Sequence, residues 1–321
     1  MVGRVTLSLQ PMSVFIPNGV LVVDKARGPT SHDVVARLRR TLSIRDIGHA
    51  GTLDPMATGV LVLALGEATK LVPWLTAHDK AYETAIALGV QTDTLDADGR
   101  EVTRAALGTE LLDALSRSNG HQISPMLSGA LETERMRTAQ VPPAYSAIRT
   151  HGVRAFDAAR RGSTPLLAPR PVRVLRLDIL ACSSDPAYLS LALEVGKGYY
   201  VRALARDLAA ALGTVGHLTQ LRRVRSGPFA LDEALSVDAP PDQLRAHIQP
   251  IAIAAGRALA LGRLTEAGTR DARCGRLVHP YDIAAPMQSI SAWLDPGGGL
   301  VAVGEVDEGG HGKVLRGFSG S

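Results

Sequence analysis

The sequence predicts an α+β protein with a small β module at its C-terminal end. Three observations carry this expectation. Between Gly19 and Leu212, short apolar runs that read as strands alternate with stretches of helical periodicity. Around 237–250 the strand formers thin out, and Pro240, Pro241 and Pro250 mark a domain boundary. Beyond it, the apolar stretches Ile290–Leu294 and Leu300–Val306 flank the break Gly297–Gly299, which reads as two strands and a turn.

The chain has 321 residues, enough for two domains, and its 45% hydrophobic content is that of a folded protein. A net charge of +4 suits a polyanionic partner, and it equally suits ordinary solubility. Cys182 and Cys274 are far apart and form neither a metal pattern nor a disulfide framework, so a reducing compartment is expected. No apolar run approaches the ~20 residues of a membrane span, and residues 1–17 lack the order of a signal peptide. Those 17 residues read as a frayed leader, and a cytoplasmic location follows.

The elements can be justified in order. Gly19–Asp24 is a short apolar strand. Lys25 to Ser31 is a turn, and Thr30 or Ser31 can cap the helix that follows. Val34, Val35, Leu38 and Leu42 fall on one face of that helix, with Arg37, Arg39 and Arg40 between them. Val60–Leu65 is an unbroken apolar run, which predicts a strand buried on both faces. A helix carries Leu71, Trp74 and Leu75. Lys80–Leu88 alternates as a strand. Residues 89–99 suggest a calcium loop, but with Gly99 at the sixth position the twelfth is Ala105, where a bidentate Glu is needed. A polar turn between strands is the reading, with Asp93 and Asp96 in it. Residues 109–118 can form a helix, and 119–139 read as irregular. A basic segment with Arg149, Arg154, Arg160 and Arg161 lies between proline brackets, with a short helix at Ala155–Ala159. It is either an RNA clamp or a solvated excursion. Val172–Leu180 and Leu189–Val195 pair as strands. Val201–Leu212 is a helix ended by Gly213.

The stretch Gly196 to Arg202 invites a nucleotide-binding reading, which fails. Val201 stands where the dinucleotide fingerprint needs glycine, and Leu191 and Gly198 occupy the other diagnostic positions of a phosphate loop. Arg202 sits in the first turn of its helix, the wrong end of the macrodipole for a cation. That placement calls for an anionic partner.

The stretch the rest is organised around is Gly48 to Leu61. It holds one carboxylate, Asp54, among three glycines, and Pro55 biases Asp54 towards extended backbone. A stiff loop entering a core strand is a suitable mount for a catalytic carboxylate. By chemistry alone the plainer reading, a turn cap, is favoured.

The contiguous pattern G-H-x-G-x-L-D-P-x-A-T-G-x-L over Gly48–Leu61 resembles the signature of the bacterial TruB family, the tRNA pseudouridine 55 synthases. Further pieces follow in order: Gly19–Ser31, Gly66–Lys70, Lys80-Ala81-Tyr82, Thr92–Asp96, Pro142–Ala147, Gly196–Arg202 and Leu221-Arg222-Arg223. The resemblance reaches from Gly19 to about Phe229. It implies a pseudouridine synthase fold, a mixed and mostly antiparallel sheet with flanking helices. An RNA-gripping arm would be inserted at about 125–170 of a catalytic domain spanning 18–240. Residues 250–321 resemble a PUA-like domain only loosely.

It further implies that Asp54 is the catalytic carboxylate, Tyr82 the residue stacked on the target base, and Arg202 the partner of Asp54. His49, Tyr200, Leu221, Lys25 and Tyr145 would contact substrate. The implied reaction is isomerisation of uridine to pseudouridine in the T stem-loop of tRNA, after base flipping, with no cofactor and no metal. The protein would act as a monomer without guide RNA. Arg149 and Phe156 stand where lysine and tyrosine are usual in the arm. Two other classes stay open. One is an RNA chaperone that binds without chemistry. The other is a carboxylate-pair glycosidase, for which no second acid can be nominated.

Overall fold

The computed structural model describes residues 18–118, 122–146, 148–150, 153–154 and 167–319. The leader at 1–17, the helix expected at Ala155–Ala159, Phe156, Arg160 and Arg161 lie outside the described residues. Among the described residues no helix is long and apolar enough to cross a membrane.

The strand Thr58–Leu65 is the centre of the molecule. Its alternation sends Leu61, Leu63 and Leu65 into one hydrophobic core and Val60, Val62 and Ala64 into another. The strand Gly19–Lys25 divides its side chains in the same way, Leu21 and Val23 to the first core, Val20 and Val22 to the second. Burial on both faces is why these segments read as unbroken apolar runs. Each fully buried aliphatic side chain contributes roughly 1.5–3 kcal/mol by leaving water.

The main sheet runs in the order Val174–Ser184, Ala187–Val195, Lys80–Leu88, Gly216–Ser226, Thr58–Leu65, Gly19–Lys25, Leu235–Ser236. Most of its pairings are antiparallel. The contact between Thr58–Leu65 and Gly216–Ser226 is parallel, as is the short edge pairing to Leu235. The expected mixed, mostly antiparallel sheet with flanking helices is the observed one. The parallel contact brings Gly59 beside Arg223, where a Cβ would lie 2.2 Å from the Arg223 carbonyl oxygen, and Gly59 has φ +100°. Only glycine meets both demands.

The helix Ser31–Leu42 begins with a capping box. The Thr30 hydroxyl accepts from Asp33 N, and the Asp33 carboxylate accepts from Thr30 N. Thr30 is therefore the cap. Ser31 is buried, with its hydroxyl bonded to both N and O of Leu53, so it ties the helix to the Asp54 loop. The turn expected over 89–99 is shorter, because Val90–Thr92 is itself a strand paired with Glu101–Arg104 and the turn between them begins at 93.

One segment differs from expectation. Residues 119–139 read as irregular, but Pro125–Arg135 is a helix capped by Ser124. Its Leu127, Ala130 and Leu131 lie in the main core. The helix was masked because its apolar residues are few and separated by polar and small ones.

The C-terminal module is a sheet in the order Ile283–Ala284, Ala260–Leu264, Ile290–Leu294, Leu300–Val306, Gly312–Gly317. The expected strand pair is there, antiparallel, with Ala292 opposite Val303. Ala292, Leu294, Leu300, Val303 and Phe318 enter the same core as Val20 and Val62, so the module shares apolar packing with the main sheet.

Candidate active site

Asp54 stands on a loop whose carbonyls are almost all engaged. Arg223, fully buried, donates from Nε to Val60 O at 2.7 Å and from Nη2 to Gly51 O at 3.0 Å. Lys25, also fully buried, donates to Ala26 O, Pro55 O and Ala57 O at 2.9, 3.3 and 2.7 Å. Gly28 N donates to Pro55 O, and Leu53 N to the Ser31 hydroxyl. Two buried cations thus hold the loop on both sides of the carboxylate, and the backbone has little freedom left.

Arg202 faces Asp54. Nε lies 2.9 Å from Oδ2, and Nη2 lies 3.3 Å from Oδ1, a forked pairing. The guanidinium side chain is 8% exposed and the carboxylate 34%. The cation is therefore buried and the anion is reachable. Arg202 spends its other donors on Thr94 O at 3.1 Å and Tyr145 O at 2.9 Å. The anionic partner demanded by its position in the first helical turn is Asp54.

A second carboxylate shares this guanidinium. Asp96 Oδ2 is 3.8 Å from Arg202 Nε, and Asp96 is buried. Burial raises its pKa, while the Thr94 hydroxyl and Arg202 pull it down. Sequence reasoning left Asp96 in the turn with Asp93. Asp93 does stay there, accepting from Arg100 N. Asp96 is buried instead, next to Leu95 with its left-handed φ of +64°. Asp96 does not line the cleft, so it does not supply the second acid of a glycosidase.

The cleft over Asp54 holds about 1010 Å3. Tyr82, Tyr145, Tyr200, Arg202 and Leu221 all line it. Tyr82 lies opposite Arg223 and Leu193 on neighbouring strands, and Leu221 lies opposite Thr84. Burial pushes the Tyr200 phenol up, with Arg170 and Arg202 opposing. The Gln140 side chain clasps the Tyr200 backbone, accepting from N at 2.9 Å and donating to O at 3.3 Å. Next to it, the buried Tyr199 donates to Glu134 at 2.7 Å. Burial raises the pKa of both groups.

The other two residues expected at the site, Lys25 and His49, do not line the cleft. Lys25 was expected against substrate but lies wholly inside, coordinating loop carbonyls. Burial lowers its pKa to about 8, with Asp54 opposing. His49 is half-buried and not among the residues lining the cleft. Its ring packs edge-on against His32 with centroids 5.1 Å apart. Burial, then the neighbouring His32 and Arg223, lowers its pKa.

Other residues line the cleft that sequence reasoning did not single out: Lys80, Ser146, Arg170 and Lys197. Lys80 donates to Thr76 O and His78 O at 2.6 and 2.5 Å. Burial, reinforced by Arg223, lowers its pKa to about 8. In the basic run 222–225 only Arg223 is buried, while Arg222 and Arg225 stay partly exposed in ion pairs. Arg222 pairs with Asp24 at 2.7 Å, Arg223 holds the loop, and Arg225 pairs with Glu194. Alternation along one strand could have signalled that split. The lining residues carry no local signal.

The cleft gathers Tyr82, Tyr145, Tyr200 and Leu221 around one anchored carboxylate. Over residues 39–201 the sequence matches the TruB family pseudouridylate synthase N-terminal domain, and over 202–254 the tRNA pseudouridylate synthase B C-terminal domain. The tRNA pseudouridine synthase B of Mycobacterium sp. (strain KMS) is 42% identical over 290 residues, 88% of this chain and 93% of that protein. The protein of the same name from Nocardia farcinica is 49% identical over 232 residues, 72% of each chain. That of Thermobifida fusca is 37% identical over 310 residues, 95% of this chain and 99% of the other. Among solved structures, a chain of a Cbf5-Nop10-Gar1 complex aligns with TM-score 0.68 at 23% identity, covering 97% of this chain and 87% of that one. A chain of an H/ACA RNP bound to a substrate RNA containing 2'-deoxyuridine aligns with TM-score 0.67 at 22% identity, covering 97% and 88%. At these identities the structural likeness is one of fold.

Proposed function

This chain belongs to the TruB family of pseudouridylate synthases, and on that premise we propose that it converts uridine 55 in the T loop of tRNA to pseudouridine. The observation that carries the reading is the Asp54–Arg202 pair at the base of the cleft, 2.9 Å across, with the carboxylate open and the guanidinium buried. The tRNA substrate comes from the names of the relatives. The lining of the cleft by Tyr82, Tyr200 and Leu221 supports it.

In this reading the target base leaves its stack at a cost of a few kcal/mol and enters the cleft. Tyr82 stacks on it and Leu221 forms the opposite wall. Asp54 acts as an ionised nucleophile or base, with Arg202 as its fixed countercharge. The N1–C1′ bond breaks, the detached uracil turns, and C5 bonds to C1′. The proton on C5 leaves and N1 takes one up, so atoms and electrons balance without an external oxidant or reductant. Arginines of the arm contact phosphates, which makes affinity fall with salt. The module beyond residue 250 is read as PUA-like, supported by its small five-stranded sheet.

Tritium release from tRNA containing 5-³H-uridine tests this, with Asp54→Asn run beside the wild type. Release by the wild type alone, with tRNA binding kept in both, is the expected result. Binding without release by either protein leaves an RNA chaperone.

A further inference from the structure

Arg202 stands in the first turn of the helix Val201–Ala211, whose cap residue, Tyr200, makes no side-chain capping bond. The opening N–H groups of a helix need partners from outside it. Here a partner comes from a segment 60 residues earlier in the chain. Gln140 is 2% exposed. Its amide accepts from Tyr200 N at 2.9 Å and donates to Tyr200 O at 3.3 Å, so one side chain takes both polar groups of one backbone residue. Gln140 is fixed in turn by the short antiparallel ladder between Ala139–Gln140 and Arg170–Pro171.

Glu134 holds the neighbouring side chain. It is buried, and its carboxylate accepts from the Tyr199 hydroxyl at 2.7 Å and from Arg137 Nε at 2.6 Å. A buried carboxylate is tolerated only where its partners are in place, so this pairing specifies one position for Tyr199. Further contacts run between the same two pieces of chain. Arg202 donates to Tyr145 O and Arg206 to Val141 O, both at 2.9 Å. The start of the helix is therefore located by segment 134–145. The fork of Arg202 on Asp54, with atoms 2.9 and 3.3 Å apart, depends on that location. A displacement of about 1 Å would break it.

We propose that Gln140, assisted by Glu134 through Tyr199, is a positioning residue that holds the start of the helix so that Arg202 keeps its fork on Asp54. Neither Gln140 nor Glu134 lines the cleft, so both act through Arg202 and not on substrate. That this placement serves catalysis rests on reading the cleft as the uridine site.

A spectroscopic test is independent of activity. The Arg202 Nε–H, held on Asp54 Oδ2, exchanges slowly with water and gives a side-chain signal in ¹⁵N–¹H spectra, identified by its loss in Arg202→Lys. Gln140→Met keeps the bulk of the side chain and loses both bonds to Tyr200. It should broaden that signal or move it to the free-arginine position, and an unchanged signal overturns the proposal. In tritium release, Gln140→Met should lower kcat about tenfold with KM within about twofold of wild type. Introduced into Arg202→Lys, the same change should cost less than about twofold, because the fork it serves is already lost. An undiminished tenfold loss in that background overturns the proposal, as does an effect confined to KM. Tyr199→Phe removes only the hydroxyl that Glu134 holds. It should lower kcat about threefold in the same pattern, and it carries the test if Gln140→Met does not fold. If the wild type releases no tritium, the isomerase reading falls, and the Arg202 signal by itself decides the role of Gln140.

Discussion

Asp54 and Arg202 are 148 residues apart in the chain and meet at 2.9 Å, with Arg202 buried beneath a carboxylate that faces the cleft. The pair predicts two outcomes. Asp54→Asn keeps the size of the side chain and loses its charge. Turnover should fall by roughly a thousandfold or more, with tRNA affinity within about threefold of wild type. Arg202→Lys keeps the charge but loses the fork and the bonds to Thr94 and Tyr145, so kcat should fall about a hundredfold. Single-turnover tritium release with filter binding checks both. Wild-type rates in Asp54→Asn would sink the assignment.

Asp96 predicts a weaker effect of the same kind. It is buried beside the Arg202 guanidinium and does not line the cleft. Asp96→Asn should lower kcat about tenfold through misplacement of Arg202, and leave RNA affinity unchanged. An effect confined to KM would mean that Asp96 acts on binding.

Lys25 separates a structural role from a binding role. Its three carbonyl partners lie within the protein, two of them in the loop that carries Asp54. Lys25→Met should destabilise the fold by about 3 kcal/mol, because buried carbonyls lose their donor. KM of the folded fraction should stay near wild type. Urea unfolding and steady-state kinetics distinguish the cases. A raised KM with unchanged stability would restore Lys25 as a substrate contact.

Lys80 predicts a pH dependence of stability. Its folded-state pKa of about 8 lies below the value of 10.5 expected for the unfolded chain. Between those values the unfolded chain binds a proton that the folded chain has released. Unfolding free energy from this group therefore rises with pH across that window. The stability difference between wild type and Lys80→Met should grow by about 2–3 kcal/mol from pH 7.5 to pH 10.5. Denaturant titrations at the two pH values measure it. A constant difference would place the Lys80 pKa near its ordinary value.

Much of this protein was legible in its sequence, for a local reason. The apolar run Val60–Leu65, a helix cap at Thr30 or Ser31, and the turn between Ile290–Leu294 and Leu300–Val306 depend on residues within a few positions of one another. The loop around Asp54 was legible as a contiguous pattern of glycine, proline and one carboxylate.

Tertiary structure alone decided what each charge does. Nothing near Lys25 in the chain says that it points inward at Pro55 and Ala57, and nothing near Asp96 says that it shares Arg202. Arg222, Arg223 and Arg225 look like a basic surface run, yet they pair with Asp24, loop carbonyls and Glu194. A long polar side chain takes its role from the group across from it. That group is set by sheet register and loop closure, not by sequence neighbours.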